Sequence, residues 1–337
     1  MSRGRGKDGR LRTAVIGVGH LGKFHARIYK ENPKSELVCV VDTDPAKAQA
    51  LASELGCLAL ESPSQLPADI DAVSIAVPTV HHARVAIPLL ERGIPCLVEK
   101  PLAASSADAR AILAAGKRGK ALLSVGHVER FQPGLRKVRE MQLAPRFIEC
   151  HRLAPLSFRS LDVGVVHDLM IHDLDLVDSP VKNFDAAGGA ILTEKEDVAS
   201  VRLVFENGAR ANVTASRASM SPMRRFRMFS RENYVSLDFT KNYGLVIQKG
   251  PEWESGREAL RTCDPAELAS RKDWLQEKVL KISELDLGQM ERPLQAELDS
   301  FLDCVAQGRE PEVSGEDGAR ALELADQIAA AIREQQW

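Results

Sequence analysis

Along the first third of the chain, short continuous apolar runs alternate with amphipathic stretches. Residues 11–16, 36–41, 72–77, 95–98 and 121–125 form such runs and predict β-strands. Between them, residues 21–31, 45–55, 80–91 and 105–117 place their apolar positions three and four apart, the spacing of a helix with one buried face. Strands that are apolar throughout, rather than alternating, belong in a parallel sheet covered on both sides. The alternation of strand and helix then predicts an α/β, doubly wound Rossmann sheet.

After about Phe131 the texture changes. A helical pattern surrounds residues 165–177. Period-two segments follow at residues 200–205, 209–215, 225–230, 234–239 and 245–248. Alternation of this kind suits a mostly antiparallel sheet with one open face. Two helical patterns, residues 294–306 and 318–333, close the chain. The expected organisation is a dinucleotide-binding domain over residues 11–130 and an α+β domain over residues 131–337. The latter carries a large open sheet, and the last helices are free to pack back on the first domain. A length of 337 residues agrees with two cores rather than one.

Composition narrows the function classes. Apolar residues at 44% and charged residues at 27% describe an ordinary globular protein. A net charge of −2 gives no electrostatic basis for nucleic acid or an anionic membrane as main partner. No apolar run reaches the roughly 18 residues that span a bilayer. The basic opening MSRGRGKDGR has no apolar segment behind it, so it reads as a tail rather than a secretory signal. Six scattered cysteines include no C-x-x-C pair, which predicts free thiols in a reducing, cytoplasmic setting and no cysteine metal site.

The strongest local motif is Gly17-Val18-Gly19-His20-Leu21-Gly22, a G-x-G-x-x-G that follows a strand and opens a helix. Glycines there allow a tight turn and let backbone approach a pyrophosphate seated on the helix N-terminus. Gly17, Gly19, His20, Leu21 and Gly22 are therefore candidate cofactor contacts. Asp42 ends the second strand, where its carboxylate would take the adenosine ribose hydroxyls. Thr43 and Asp44 follow it without an arginine for a 2′-phosphate, so the expected cofactor is NAD. Pro78, Thr79 and His82, beyond another strand end, are further candidates, whereas His81 reads as a surface histidine. Glu99-Lys100-Pro101 follows the strand at residues 95–98, and both Glu99 and Lys100 should face the nicotinamide cleft.

A second cluster is His167-Asp168-Leu169-Met170-Ile171-His172-Asp173-Leu174-Asp175. On a helix Asp168 and His172 share a face, and Asp175 falls near it. A histidine held beside a carboxylate can serve as a general base near neutral pH. At 100° per residue His167 points about 140° away from His172, which suits a packing or capping residue and disfavours a metal site made of the two. Asp173 projects from the apolar side and needs a buried partner. No nucleophile elbow, P-loop or H-E-x-x-H occurs.

Together GVGHLG, EKP and D-L-M-I-H-D resemble the glucose–fructose oxidoreductase, inositol dehydrogenase and rhizopine-catabolism (Gfo/Idh/MocA) family, from about Leu11 to Ile332. The runs Val125–Pro133 (VGHVERFQP), PLQAE near residue 293 and PEVSGEDG near residue 311 extend the likeness. The resemblance implies Lys100 and His172 facing each other over the nicotinamide. It also implies an open-sheet domain that makes homodimer or homotetramer contacts. Residues 126–133 with His151-Arg152-Leu153 and Arg159-Ser160 look most like bacterial nucleotide-sugar 3-dehydrogenases, notably those acting on UDP-N-acetylglucosamine. Arg130, Arg152 and Arg159 thereby become candidate substrate contacts, although arginine clusters also suit plain salt bridges. The expected reaction is oxidation of a sugar carbinol by NAD, with His172 as base, Asp168 as its aid and Lys100 at the same oxygen. Two other readings use the same sequence: a dehydrogenase of a free polyol such as an inositol, and a non-catalytic NAD-binding regulator.

Overall fold

The computed structural model describes residues 9–157, 163–177, 179–287 and 292–335. It divides into two compact units, one formed by Met1–Phe131, Leu174–Leu176 and Glu291–Gln327, the other by Gln132–Asp173, Val177–Met290 and Ile328–Trp337.

In the first unit the apolar runs become β1 (Leu11–Ile16), β2 (Ser35–Val41), β3 (Leu58–Leu60), β4 (Ala72–Ile75), β5 (Cys96–Glu99) and β6 (Leu123–Gly126). Helices α1 (Gly22–Glu31), α2 (Pro45–Leu55), α3 (His82–Glu91) and α4 (Ser106–Gly119) connect them. The strands pair in parallel in the order β3-β2-β1-β4-β5-β6. Strand order reverses beside β1, where open α/β sheets bind their ligands at the carboxyl ends. Both faces are buried, as continuous apolar strands require. Ala14, Ile16 and Val98 enter one core with Leu90 and Ile112, while Val15 and Leu97 enter the other with Tyr29 and Phe301. Short β3 escaped the sequence reading because three residues carry no periodicity.

The second unit begins with α5 (Pro133–Glu140) and β7 (Phe147–Leu153), and then a wide π-helical turn, Val166–Met170, runs into α6 (Ile171–Leu176). Strands β8 (Val181–Gly189), β9 (Val198–Phe205), β10 (Arg210–Ser216), β11 (Met223–Phe229), β12 (Asn233–Asp238) and β13 (Tyr243–Lys249) follow. Helices α7 (Trp253–Thr262), α8 (Pro265–Ser270) and α9 (Lys272–Trp274) precede β14 (Leu280–Glu284). The eight strands are ordered β14-β13-β12-β11-β7-β10-β9-β8, antiparallel except where β10 runs parallel to β7. The chain closes with α10 (Pro293–Gln307) and α11 (Gly315–Glu334). All of α10 and most of α11 belong to the first unit, where Leu298, Phe301 and Leu302 complete the core around Tyr29.

β7 and β8 were not legible as strands. β7 carries Arg152 among its inward residues, and β8 is a polar edge strand ending in two glycines. All six cysteines are free. Among the described residues no helix is long and apolar enough to cross a membrane, and no cluster of potential ligands could hold a metal ion.

Candidate active site

The glycine turn at the end of β1 has a separate steric reason at each position. Gly17 lies at φ +86°, and a Cβ there would sit 2.7 Å from the backbone carbonyl of Ala76. A Cβ on Gly22 would meet the Gly17 carbonyl oxygen at 1.8 Å, so only glycine lets α1 start so close to the turn. Over Gly19 there is nothing within 4 Å, which leaves backbone that a ligand can approach. No side chain caps α1 and no carboxylate occupies its first turn, so its positive end is available to an anion. His20 and Leu21 are exposed beside this turn, His20 packing edge-on against Phe24.

A cleft of 890 Å³ runs from this turn, lined among others by Gly17, Gly19, Asp42, Val77, Pro78 and Arg84. Asp42 is oriented by two amides: Val18 N–H donates to Oδ2 and Asp44 N–H to Oδ1, both at 2.9 Å. The carboxylate is thereby held at the cleft, where it would accept from ribose hydroxyls and repel a 2′-phosphate. Asp42→Ala is expected to narrow the difference in dissociation constant between NAD and NADP. Tighter binding of NADP than NAD by the unaltered protein would sink this assignment.

His82 departs from its expected place in the cofactor cleft. It is 1% exposed, with Nδ1 3.0 Å from the Pro101 carbonyl and Nε2 3.0 Å from the Val77 carbonyl. Burial, set against those carbonyl contacts, lowers its pKa and favours the neutral ring. It ties the loop after β4 to the loop after β5, and His81 lines the cleft instead. A single turn of 3₁₀-helix, Thr79–His81, sets that exchange. Thr79 lies half-buried in the same turn.

Glu99 and Lys100 stand at the carboxyl end of β5, and the Lys100–Pro101 peptide is cis. Glu99 is 7% exposed and meets His25 Nε2 at 3.0 Å, while its Oε2 accepts the Lys100 amide at 3.2 Å. Burial alone would raise its pKa, but His25 and Lys100 outweigh that and hold the carboxyl below its ordinary range. His25 was not a sequence candidate, since nothing local links a histidine on α1 to a glutamate on β5.

Arg130, expected at the substrate, forms a buried fork with Asp175, with Nε and Nη2 each 2.7 Å from a carboxylate oxygen. Near this pair lies Glu297 of α10, 2% exposed, with no hydrogen-bond partner for either carboxyl oxygen among the described residues. Burial, and then the charges of Glu99, Asp175 and Glu129, push its pKa well above the ordinary carboxyl value. A carboxyl that binds its proton more tightly when folded stabilises the fold below the ordinary carboxyl range. It loses that contribution as pH rises through the folded pKa. Glu297→Gln is neutral at every pH, so it should gain stability relative to the unaltered protein as pH rises from about 5 to 8. Parallel stability curves for the two proteins would contradict the assignment.

In the second unit, the segment expected to present Asp168 and His172 on one helical face takes a π turn. Both side chains are half-buried there. Wide turns of this kind are rare and recur at functional sites. The partner that Asp173 needed is Arg152, whose Nε and Nη2 lie 2.8 and 2.9 Å from its carboxylate. Both are almost fully buried, at 3% and 6% exposure. The arginine expected to grip substrate thus holds the residue after His172. Arg159 lies outside the described residues.

A family model described as an oxidoreductase family with an NAD-binding Rossmann fold matches residues 11–127. The chain is 36% identical over 328 residues to the UDP-N-acetylglucosamine 3-dehydrogenase of Acidithiobacillus ferrooxidans, covering 96% of this chain and 97% of that one. The solved structure of that enzyme superposes with a TM-score of 0.84 at 34% identity, covering 96% of this chain and 98% of that one. An inositol 2-dehydrogenase of Rhizobium meliloti is 26% identical, with 96% and 97% coverage.

Proposed function

The chain belongs to the Gfo/Idh/MocA family of NAD-dependent oxidoreductases, and from that premise we propose that it oxidises the 3-hydroxyl of a UDP-N-acetylglucosamine-type nucleotide sugar. The observation that carries the substrate reading is 36% identity sustained over 96% of the chain, which includes the sheet unit as well as the nucleotide-binding half. The inositol dehydrogenase match is equally long at 26%, which keeps a free polyol as the second reading. NADH formation with UDP-N-acetylglucosamine, other UDP-sugars and myo-inositol tests the choice. Turnover of myo-inositol with none of any UDP-sugar would end it.

The residues fit the cofactor. Gly17, Gly19 and the start of α1 would carry the pyrophosphate, and Asp42 the adenosine ribose. When bound, NAD supplies the hydride acceptor. Oxidation breaks the carbinol C–H and O–H bonds and forms a ketone. His172 is assigned the hydroxyl proton, with Asp168, four residues before it, assigned to favour the imidazolium. Lys100 is assigned a hydrogen bond to the same oxygen, where negative charge develops. The π turn under His172 and the buried charges behind Lys100 support these roles. Free thiols throughout support a reducing, cytoplasmic setting.

The outer face of the large sheet supports self-association. Phe147, Phe229, Tyr234, Ile247 and Ile282 are successive cross-strand neighbours, an apolar row across five strands. Phe229 lies 5.5 Å from Phe147 and 4.9 Å from Tyr234 between ring centres. A monomer gains nothing by leaving such a row in water. Sedimentation at micromolar concentration should show a dimer or tetramer, and Phe229→Asp should weaken it. A monomer at that concentration would count against the reading.

A further inference from the structure

The stretch Val166–His172, which carries Asp168 and the assigned base, is tied down at both ends by a buried arginine, all within the second unit. At its exit Arg152 grips Asp173. Its entry is the short strap Val163–Val165. There Nη2 of Arg217 donates to the Val163 carbonyl, and the Val165 amide donates to the Glu196 carbonyl at 2.9 Å. The first bond of the turn follows at once, from the Asp168 amide to the Gly164 carbonyl at 3.0 Å.

Arg217 comes directly after β10, and its amide donates to the Asp197 carbonyl at 2.9 Å. Asp197 comes directly before β9, and its amide donates to the carbonyl of Gly189, the last residue of β8, at 2.8 Å. The two residues thus extend the β8-β9-β10 ladder by one rung, where their side chains are buried with Nε 3.7 Å from Oδ1. Asp197 is satisfied without the arginine. Its Oδ2 accepts the amides of Ile191, Leu192 and Thr193, and its Oδ1 accepts the Thr193 hydroxyl at 2.8 Å. A carboxylate held by four donors is a fixed anchor, and Arg217 links that anchor to the strap. Burying a guanidinium is costly unless its bonds serve a purpose. The purpose here is geometric. A general base works only within hydrogen-bond reach of its proton, and a displacement of about 1 Å can cost a factor of about 10². Wide turns are rare, and a slip inside this one would redirect His172.

We propose that Arg217, anchored by Asp197, is a positioning residue for the base: it fixes the entry of the π turn, and so the aim of the His172 imidazole, as Arg152 fixes the exit. The proposal rests on His172 being the base of the oxidation read above. No local pattern links Arg217 to a carbonyl 54 positions away.

The test uses the full-length enzyme with NAD and whichever of UDP-N-acetylglucosamine and myo-inositol it oxidises. Arg217→Met should lower kcat about ten-fold or more, with KM for the sugar and the NAD dissociation constant within about three-fold. Arg217→Lys restores a charge beside Asp197, so its melting temperature should return towards that of the unaltered enzyme. Its kcat should stay low, because one ammonium cannot span two acceptors as the fork does. In a His172→Ala background, Arg217→Lys should change kcat less than about two-fold, since the arginine acts through that imidazole. An arginine that only stabilised the fold would lower the melting temperature and leave kcat per folded enzyme unchanged. A folded Arg217→Lys enzyme with full kcat, or an equal loss with and without His172, overturns the proposal and leaves the reaction assignment standing. If His172→Ala is fully active, or if the unaltered enzyme oxidises neither substrate, the assignment and the proposal fall together.

Discussion

His172→Ala is expected to lower kcat by about 10²–10⁴-fold with NAD affinity intact, the range that general-base catalysis contributes. Lys100→Met should act on kcat in the same direction. The expectation follows from where the two residues stand. Lys100 follows β5 at the carboxyl edge of the parallel sheet, the edge at which such sheets bind their ligands. His172 is the second residue of α6, just after a π turn, and its neighbour Asp173 is held by Arg152. A histidine that only packs would, on removal, cost stability more than rate. Measuring kcat and melting temperature on one preparation separates the two, and a folded, fully active His172→Ala enzyme would overturn the mechanism.

The second large effect is on stability. Asp173→Ala should reduce the free energy of unfolding by about 3–5 kcal/mol, because it leaves the Arg152 guanidinium buried without its countercharge. Arg152→Met combined with Asp173→Leu should recover most of that loss, since an apolar pair of similar volume carries no desolvation penalty. Denaturant unfolding of the single and double variants measures both values. An Asp173→Ala protein as stable as the unaltered chain would show that the fork contributes nothing.

The legible parts of this protein are those in which a residue's role depends on its neighbours in sequence. Continuous apolar runs declared the parallel sheet, because a strand buried on both faces has no polar side to show. Gly17, Gly19 and Gly22 declared the turn, because steric limits on a strand-to-helix junction are local. Period-two segments declared most of the large sheet for the same reason. Legibility failed at β7, where the inward position of Arg152 breaks the alternation, and at Val166–Met170, where the helical spacing is locally widened.

By itself, then, the sequence determined the Rossmann half, its cofactor turn and the chemical character of the candidate site, since periodicity, turn sterics and residue type act over a few residues. Only the tertiary structure decided which charges are available for chemistry. It gave Arg130 to Asp175, Arg152 to Asp173 and Glu99 to His25, and left Glu297 buried among carboxylates. Those outcomes depend on desolvation and on pairing between residues up to 74 positions apart, as with His25 and Glu99, and no local pattern encodes either.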